Sequence, residues 1–492
     1  MISAHAFRRE APATAGVPGA PRLAVLGAGI SGLVAAHELK RLGLSVTVFE
    51  RSGRVGGRIE TFRFPGTDHL GELGAMRIPG SHVNTLRYIE QLGLGGRLAP
   101  FTSLFAGGHG RGAPPVPPGE HTPERVARAV MFRLGAVVDA MAPGELRDVF
   151  HAYARGEMFT DVVALLRTRL EPGRRESLLQ ASAGELVTLF SRLDERLAPS
   201  LRIFLRDIAW EVSEDLYLLK GGMQQLPEKL AEGLTGELNL HCELERILSH
   251  EDFVELVIRD RARGTSWKER FDYVVCTLPI PALRELALEG FDARKTAAFR
   301  KARYASASKV LFLCRRKFWR PPSQAIARGA SFVGGLTRQV YYSDIDLDAA
   351  SGPSERGGTL LASYALGAES EKLAGLPDDA VVALARQNLR RLHPEIDEPG
   401  MVRDFKVRHW QKEEGYLGGC SVTWPLYYAE AGAEEDVTRL WEDVARPDKR
   451  VHFAGEHCSS DRAWIEGAVA SSLRTVSTLV EQGVCSRHLG RA

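Results

Sequence analysis

The stretch that leaves this chain the fewest options is GAGISG, residues 27–32. It follows the apolar run RLAVL, a buried-strand pattern, and precedes LVAAHELKRLG, whose apolar residues recur at helical spacing. The spacing predicts a helix from Ser31 to Leu42 with Gly43 at its end, then a second strand, SVTVFE, finishing at Glu50. Glycines between a strand and a helix in a βαβ unit serve three separate needs. Gly27 permits the tight turn, Gly29 lets backbone approach a pyrophosphate, and Gly32 lets helix and strand pack closely. The helix N-terminus, here Ile30 and Ser31, offers N–H groups and a partial positive charge to phosphate. Glu50 stands about twenty residues on, where a carboxylate can take a ribose hydroxyl. The reading is a dinucleotide site.

The rest of the chain bounds what this site can serve. Its 492 residues are too many for one ordinary core, so two or three domains are expected. Charges of both signs are interspersed to a net +2, which gives no electrostatic footprint for nucleic acid. No apolar run approaches the roughly twenty residues of a membrane span. The first twenty residues, rich in Ala, Pro and Gly, read as a flexible tail. Six cysteines lie scattered with no CxxC pair, an arrangement expected of a reducing cytoplasm, with neither a disulfide framework nor a metal site.

Directly after Glu50 comes RSGRVGGRIET, in which Arg51, Gly57 and Arg58 form a second Gly- and Arg-rich turn able to clamp a pyrophosphate. From the first glycine loop through this GGR, the chain resembles the flavin-dependent amine oxidase superfamily. Two further segments carry the resemblance: YLLKGGMQQLPEKL in the middle, and RVHFAGEHCSSDRAWIEGAVASS near the end, with Glu456, Trp464 and Ile465. It extends from about Arg22 to Gly483 and implies noncovalent FAD. The helix opening near Gly467 would stabilise negative charge on the reduced flavin through its dipole.

The segment GELGAMRIPGSH narrows the resemblance to L-amino-acid oxidases and the related amino-acid monooxygenases. It implies that Gly74, Ala75, Met76 and Arg77 lie over the flavin, and that Arg77 holds a substrate carboxylate through two parallel hydrogen bonds. By the same resemblance, Lys309 in SASKVLFLC is the catalytic lysine that positions a water. Tyr364 helps hold the carboxylate, the Ala463 carbonyl accepts from the amine, and Trp464 lines the cavity. FVGGLTRQVYYSD also fits the amino-acid oxidase branch. Cys420 has two readings: a covalent link to the flavin, as in mitochondrial-type monoamine oxidases, or a compact buried hydrophobe. Ser421 stands where those enzymes carry a cage tyrosine.

The expected fold is α/β: a discontinuous Rossmann-like FAD-binding domain, a mixed-sheet substrate domain and a helical insert. The division runs as a tail over 1–20, an FAD-binding domain from 21–79, 219–300 and 446–485, a substrate domain from 80–120 and 301–445, and a helical domain over 121–218. In the last, Thr122 and Pro123 open one helix, and Ser182 with Glu185 forms a capping box for another. The implied activity is oxidation of a large apolar or aromatic L-amino acid. Hydride passes from Cα to flavin, and the imino acid becomes a 2-oxo acid and ammonia. Dioxygen takes the electrons as hydrogen peroxide, in a cytoplasmic dimer bound to neither nucleic acid nor membrane. Oxidative decarboxylation to an amide, and oxidation of a simple amine, stay open as alternatives.

Overall fold

The computed structural model describes residues 21–101, 122–141, 144–155, 157–168, 170–179, 181, 185–186, 216–319, 329–342, 345–346, 357–422 and 434–484. Two five-stranded sheets organise them. The first runs Val451–Phe453, Tyr273–Cys276, Arg22–Leu26, Ser45–Phe49, Leu238–Asn239, with every pair parallel. Arg22–Leu26 sits in the middle, covered on both faces, which is why RLAVL is a continuous apolar run and not an alternation. On one face Leu23 and Val25 pack with Leu33 and Val34 of helix Ile30–Arg41 and with Val469 of helix Ile465–Glu481. Those two helices close on small residues: the Ser31 and Ser472 hydroxyls lie 2.6 Å apart. On the other face Ala24 and Leu26 meet the antiparallel strands Cys242–Ser249, Val254–Asp260 and Thr265–Phe271, and helix Glu434–Ala445. The chain thus leaves and re-enters this core, giving the discontinuous α/β nucleotide fold.

The second sheet runs Ala330–Gly334, Arg338–Tyr341, Gly358–Leu366, Ala307–Cys314, Val402–His409. The expected mixed sheet is antiparallel in every described pair. Strand Ala307–Cys314, paired on both sides, is buried along its whole length. Val310 and Phe312 face helices Ala368–Ala374 and Asp378–Leu389, while Leu311 and Leu313 face the helical region.

That helical region comprises Pro123–Met141, Gly144–Ala154, Glu157–Thr168 and Pro172–Ser177. The first helix opens as read: Thr122 Oγ1 accepts from the Arg125 N–H at 3.4 Å, with Pro123 at the first helical position. The helical reading as far as Leu218 is corrected at its end. Leu216–Leu219 is a strand held between Ile78–Pro79 and Leu98–Phe101, where pairing on both sides outweighs local helical pattern. Ser182 of the capping box and the tail over 1–20 lie outside the described residues. Among the described residues no helix is long and apolar enough to cross a membrane.

Candidate active site

A cavity of about 540 Å³ is lined from both sheets. Its glycine-rich end follows from the βαβ unit. Gly27 takes φ +97°, closed to most side chains, and its N–H donates to Phe49 O at 2.8 Å, tying the turn to the second strand. Helix Ile30–Arg41 begins with no side-chain cap and no acid in its first turn, and Gly29, Ile30 and Ser31 line the cavity. Gly32 is not among the residues that line it. A Cβ there would stand 1.9 Å from Gly27 O, so Gly32 serves the packing of helix on turn. Glu50 is buried and anchored: Ala28 N–H donates to Oε2 at 2.8 Å, and Ser52 N and Oγ donate to Oε1 at 2.9 and 2.7 Å. Arg51, at the rim, is ion-paired with Glu243 at 3.1 Å and Glu414 at 2.8 Å.

The second Gly-rich turn crosses the first, with Gly29 bridged to Gly56 and a Cβ on Gly57 coming within 3.2 Å of Gly29 Cα. Arg58 lines the cavity, but its guanidinium also donates to Gly419 O at 3.0 Å and to Glu456 Oε1 at 2.9 Å. Glu456 also accepts from Ser421 Oγ and from the Ala463 N–H at 3.0 Å. Burial alone would raise the Glu456 carboxyl, but Arg58, His457 and these donors outweigh it and hold the carboxyl at about 2. The ion pair therefore joins the GGR turn to the C-terminal segment that carries Ala463 and Trp464. Ala463 itself takes the left-handed φ +67°, a strained conformation for a residue with a side chain.

The opposite end is built from side chains. Strand register sets Lys309 against Tyr364, and Tyr364 against a bulge that takes both Arg338 and Gln339. Lys309 Nζ lies 4.9 Å from the Tyr364 ring and donates to Gly74 O at 2.6 Å and Glu72 O at 3.3 Å. Arg77 is 5% exposed, a buried guanidinium on the cavity wall. Its Cζ lies 5.8, 5.5 and 5.9 Å from the ring centres of Phe101, Tyr341 and Trp464, and it donates to Tyr341 Oη at 3.1 Å. Trp464 caps helix Ile465–Glu481 and packs edge-on against His82 at 5.2 Å. The next helical residue but one, Glu466, accepts from Asn84 and Thr85, two backbone and two side-chain donors, and so fixes the start of helix Val83–Gln91 beside it.

A family model described as "Flavin containing amine oxidoreductase" matches residues 30–480. This chain belongs to the flavin-containing amine oxidoreductase family. It is 37% identical over 491 residues to the flavin-dependent L-tryptophan oxidase RebO of Lentzea aerocolonigenes, covering 94% of this chain and 98% of that protein. It is 30% identical over 474 residues to an L-amino-acid oxidase of Mus musculus, covering 92% and 70% respectively. A putrescine oxidase redesigned for cofactor binding shares the fold, with a TM-score of 0.62 at 20% identity, covering 94% of this chain and 99% of that one.

The cofactor is FAD, and the residues present fit it. Glycines at the turn positions 27 and 29, a helix start without an acid and an anchored carboxylate supply what a dinucleotide needs. Gly27, Gly29, Ile30, Ser31, Glu50, Arg51, Gly57, Arg58, Gly74, Ala75, Met76, Arg77, Lys309, Tyr364, Cys420, Glu456, Ala463, Trp464 and Ile465 all line one cavity. Cys420 lies along it, in no disulfide among the described residues. Sequence reading missed Glu72, which is buried beside Lys309 and accepts from Met223 N at 2.7 Å and Thr61 Oγ1 at 2.9 Å. Burial pushes its carboxyl up, against those donors and the Lys309 charge. It also gave no role to Phe101, or to Tyr341 and His82, which lie inside the FVGGLTRQVYYSD and GELGAMRIPGSH segments but were not singled out there.

Proposed function

We propose that this enzyme is an L-amino-acid oxidase acting on a large apolar or aromatic substrate. One observation carries the reading: a buried guanidinium, Arg77, among three aromatic rings on the wall of the flavin cavity. A simple amine gives such a group nothing to bind. A carboxylate gives it a charge-assisted fork, strengthened by the low dielectric of the rings. The names of the L-tryptophan and L-amino-acid oxidases it resembles support the same substrate class.

Arg77, with Tyr364, holds the carboxylate and so fixes the Cα–H direction, and orientation is worth much of the barrier. The Ala463 carbonyl accepts from the substrate amine; Glu456 holds that strained residue through its N–H. The amine must be neutral to lose its Cα hydrogen as hydride, and the Lys309 and Arg77 charges on the cavity wall disfavour a further cation there. Lys309, fixed by Gly74 O and Glu72 O, positions a water. Bound FAD supplies the two-electron acceptor. The imino acid leaves to be hydrolysed by water to a 2-oxo acid and ammonia. Dioxygen as final acceptor, hydrogen peroxide as product, a homodimer and a cytoplasmic location complete the proposal; the five free cysteines among the described residues support the last.

The test is anaerobic bleaching of the flavin absorbance with L-amino acids, their D-forms and the corresponding amines. Bleaching by L-amino acids alone is expected, and bleaching by amines alone would overturn the proposal. Product analysis for 2-oxo acid against amide separates oxidase from monooxygenase.

A further inference from the structure

Arg77 does not hold its position by itself. Tyr341 Oη accepts from Arg77 Nη1 at 3.1 Å and donates its own proton to Gln339 Oε1 at 3.0 Å. A guanidinium has no acceptor, so the tyrosine oxygen must present a lone pair to it, and the hydroxyl proton must point elsewhere. Gln339 is where it points. Both residues are buried, at 1% and 4% exposure, in the Arg338–Tyr341 strand. They stand two apart, hence on one face of that strand. The Arg338–Gln339 bulge pairs with Tyr364, itself opposite Lys309, so the relay is in register with the row of residues lining the cavity. The Tyr341 ring is also packed between Phe101 at 5.9 Å and Tyr364 at 6.3 Å, which fixes where its oxygen lies.

We propose that Tyr341 and Gln339 are positioning residues that set the direction of the Arg77 fork, and thereby the enzyme's preference for a substrate carrying an α-carboxylate. Neither needs to touch substrate. Gln339 fixes the hydroxyl rotor, and the hydroxyl fixes one N–H of Arg77 and with it the plane of the guanidinium that meets the carboxylate. This rests on the carboxylate reading of Arg77 given above and extends it by two residues.

The experiment uses the FAD-loaded enzyme and two probes of one shape, 3-phenylpropanoate and its neutral amide, titrated by the change in flavin absorbance. Tyr341→Phe should weaken binding of the carboxylate by about tenfold or more, the scale of a hydrogen bond to a charged group. It should leave the amide unchanged, and raise KM for the amino acid more than it lowers kcat. Gln339→Leu should move the carboxylate the same way by roughly threefold, since it frees the rotor without removing the oxygen. A pocket merely loosened by mutation would weaken both probes alike; that result, or wild-type carboxylate binding in both variants, overturns the relay. If Tyr341→Phe loses flavin, Gln339→Leu decides alone. Arg77→Ala separates the two levels. If it too keeps carboxylate affinity, the carboxylate reading itself is wrong, whereas loss in Arg77→Ala without any effect at 341 or 339 overturns only the relay.

Discussion

At one end of the cavity Gly27, Gly29 and Glu50 belong to a single βαβ unit, with helix Ile30–Arg41 between them. At the other, Arg77, Tyr341, Tyr364 and Trp464 converge from four separate stretches of chain. The first end offers backbone: N–H groups at a helix start, turns open to a ligand because side chains are missing, and one anchored carboxylate. The second offers side chains, a cation in an aromatic box fixed by sheet register. A backbone site tolerates no added atom, whereas a side-chain site is sensitive to removed ones. The two should therefore fail differently.

The largest effect should come from adding atoms at the glycine end. Gly32→Val places a Cβ where Gly27 O already lies 1.9 Å away, so the helix must leave the turn. Flavin content of the purified protein should fall by at least about tenfold, given that overpacking costs 1–3 kcal/mol even without a backbone clash. Full flavin occupancy in this variant would break the comparison. Next comes removal at the other end. Arg77→Ala should retain flavin while kcat/KM for the amino acid falls by about two to three orders of magnitude, as when one partner of a buried charge pair is truncated. If flavin is lost together with activity, the two ends are not separable.

The Glu456–Arg58 pair sharpens the comparison because it joins the ends. The folded-state carboxyl lies at about 2 against an ordinary 4.5. Its contribution is therefore complete above pH 4.5 and drains away as pH falls toward 2. At about 1.4 kcal/mol per tenfold change in proton affinity, it is on the order of 3 kcal/mol. Glu456→Gln should lower Tm of the FAD-loaded enzyme at pH 7 and flatten the loss of Tm with acid across that window. An unchanged acid profile would show that the pair does not bear on folding. The smallest effect belongs to Cys420. Cys420→Ala should leave flavin content and kcat within about twofold, the surface-like range of a small apolar swap. Acid precipitation of the native protein should release all the flavin to the supernatant, and flavin retained in the pellet would mark Cys420 as an attachment point.

The glycine end was legible residue by residue because its contacts are local. Gly27, Glu50 and the helix start keep their spacing wherever the chain goes. Even there the Arg58 guanidinium proved to be engaged by Glu456, 398 positions away. The helical reading through Leu218 failed because a strand between two others is decided by its partners and not by its own pattern. Arg77, Lys309, Tyr364 and Trp464 were reached through resemblance of their flanks. Of the residues that support them, Tyr341, Gln339 and Glu72 lay within the resembling segments without a role, and Phe101 lay outside them.

By itself the sequence determined the nucleotide fold: an apolar run, glycines at a strand-to-helix turn and an acid at the end of the second strand admit one local geometry. It also determined which side chains were available for chemistry. Only the tertiary structure decided how they are held. Tyr341 meets Arg77 across 264 positions, and Glu466 meets Thr85 across 381. Such pairs depend on strand register, on a bulge and on helix docking, which arise from packing the whole core and leave no periodic trace in the chain.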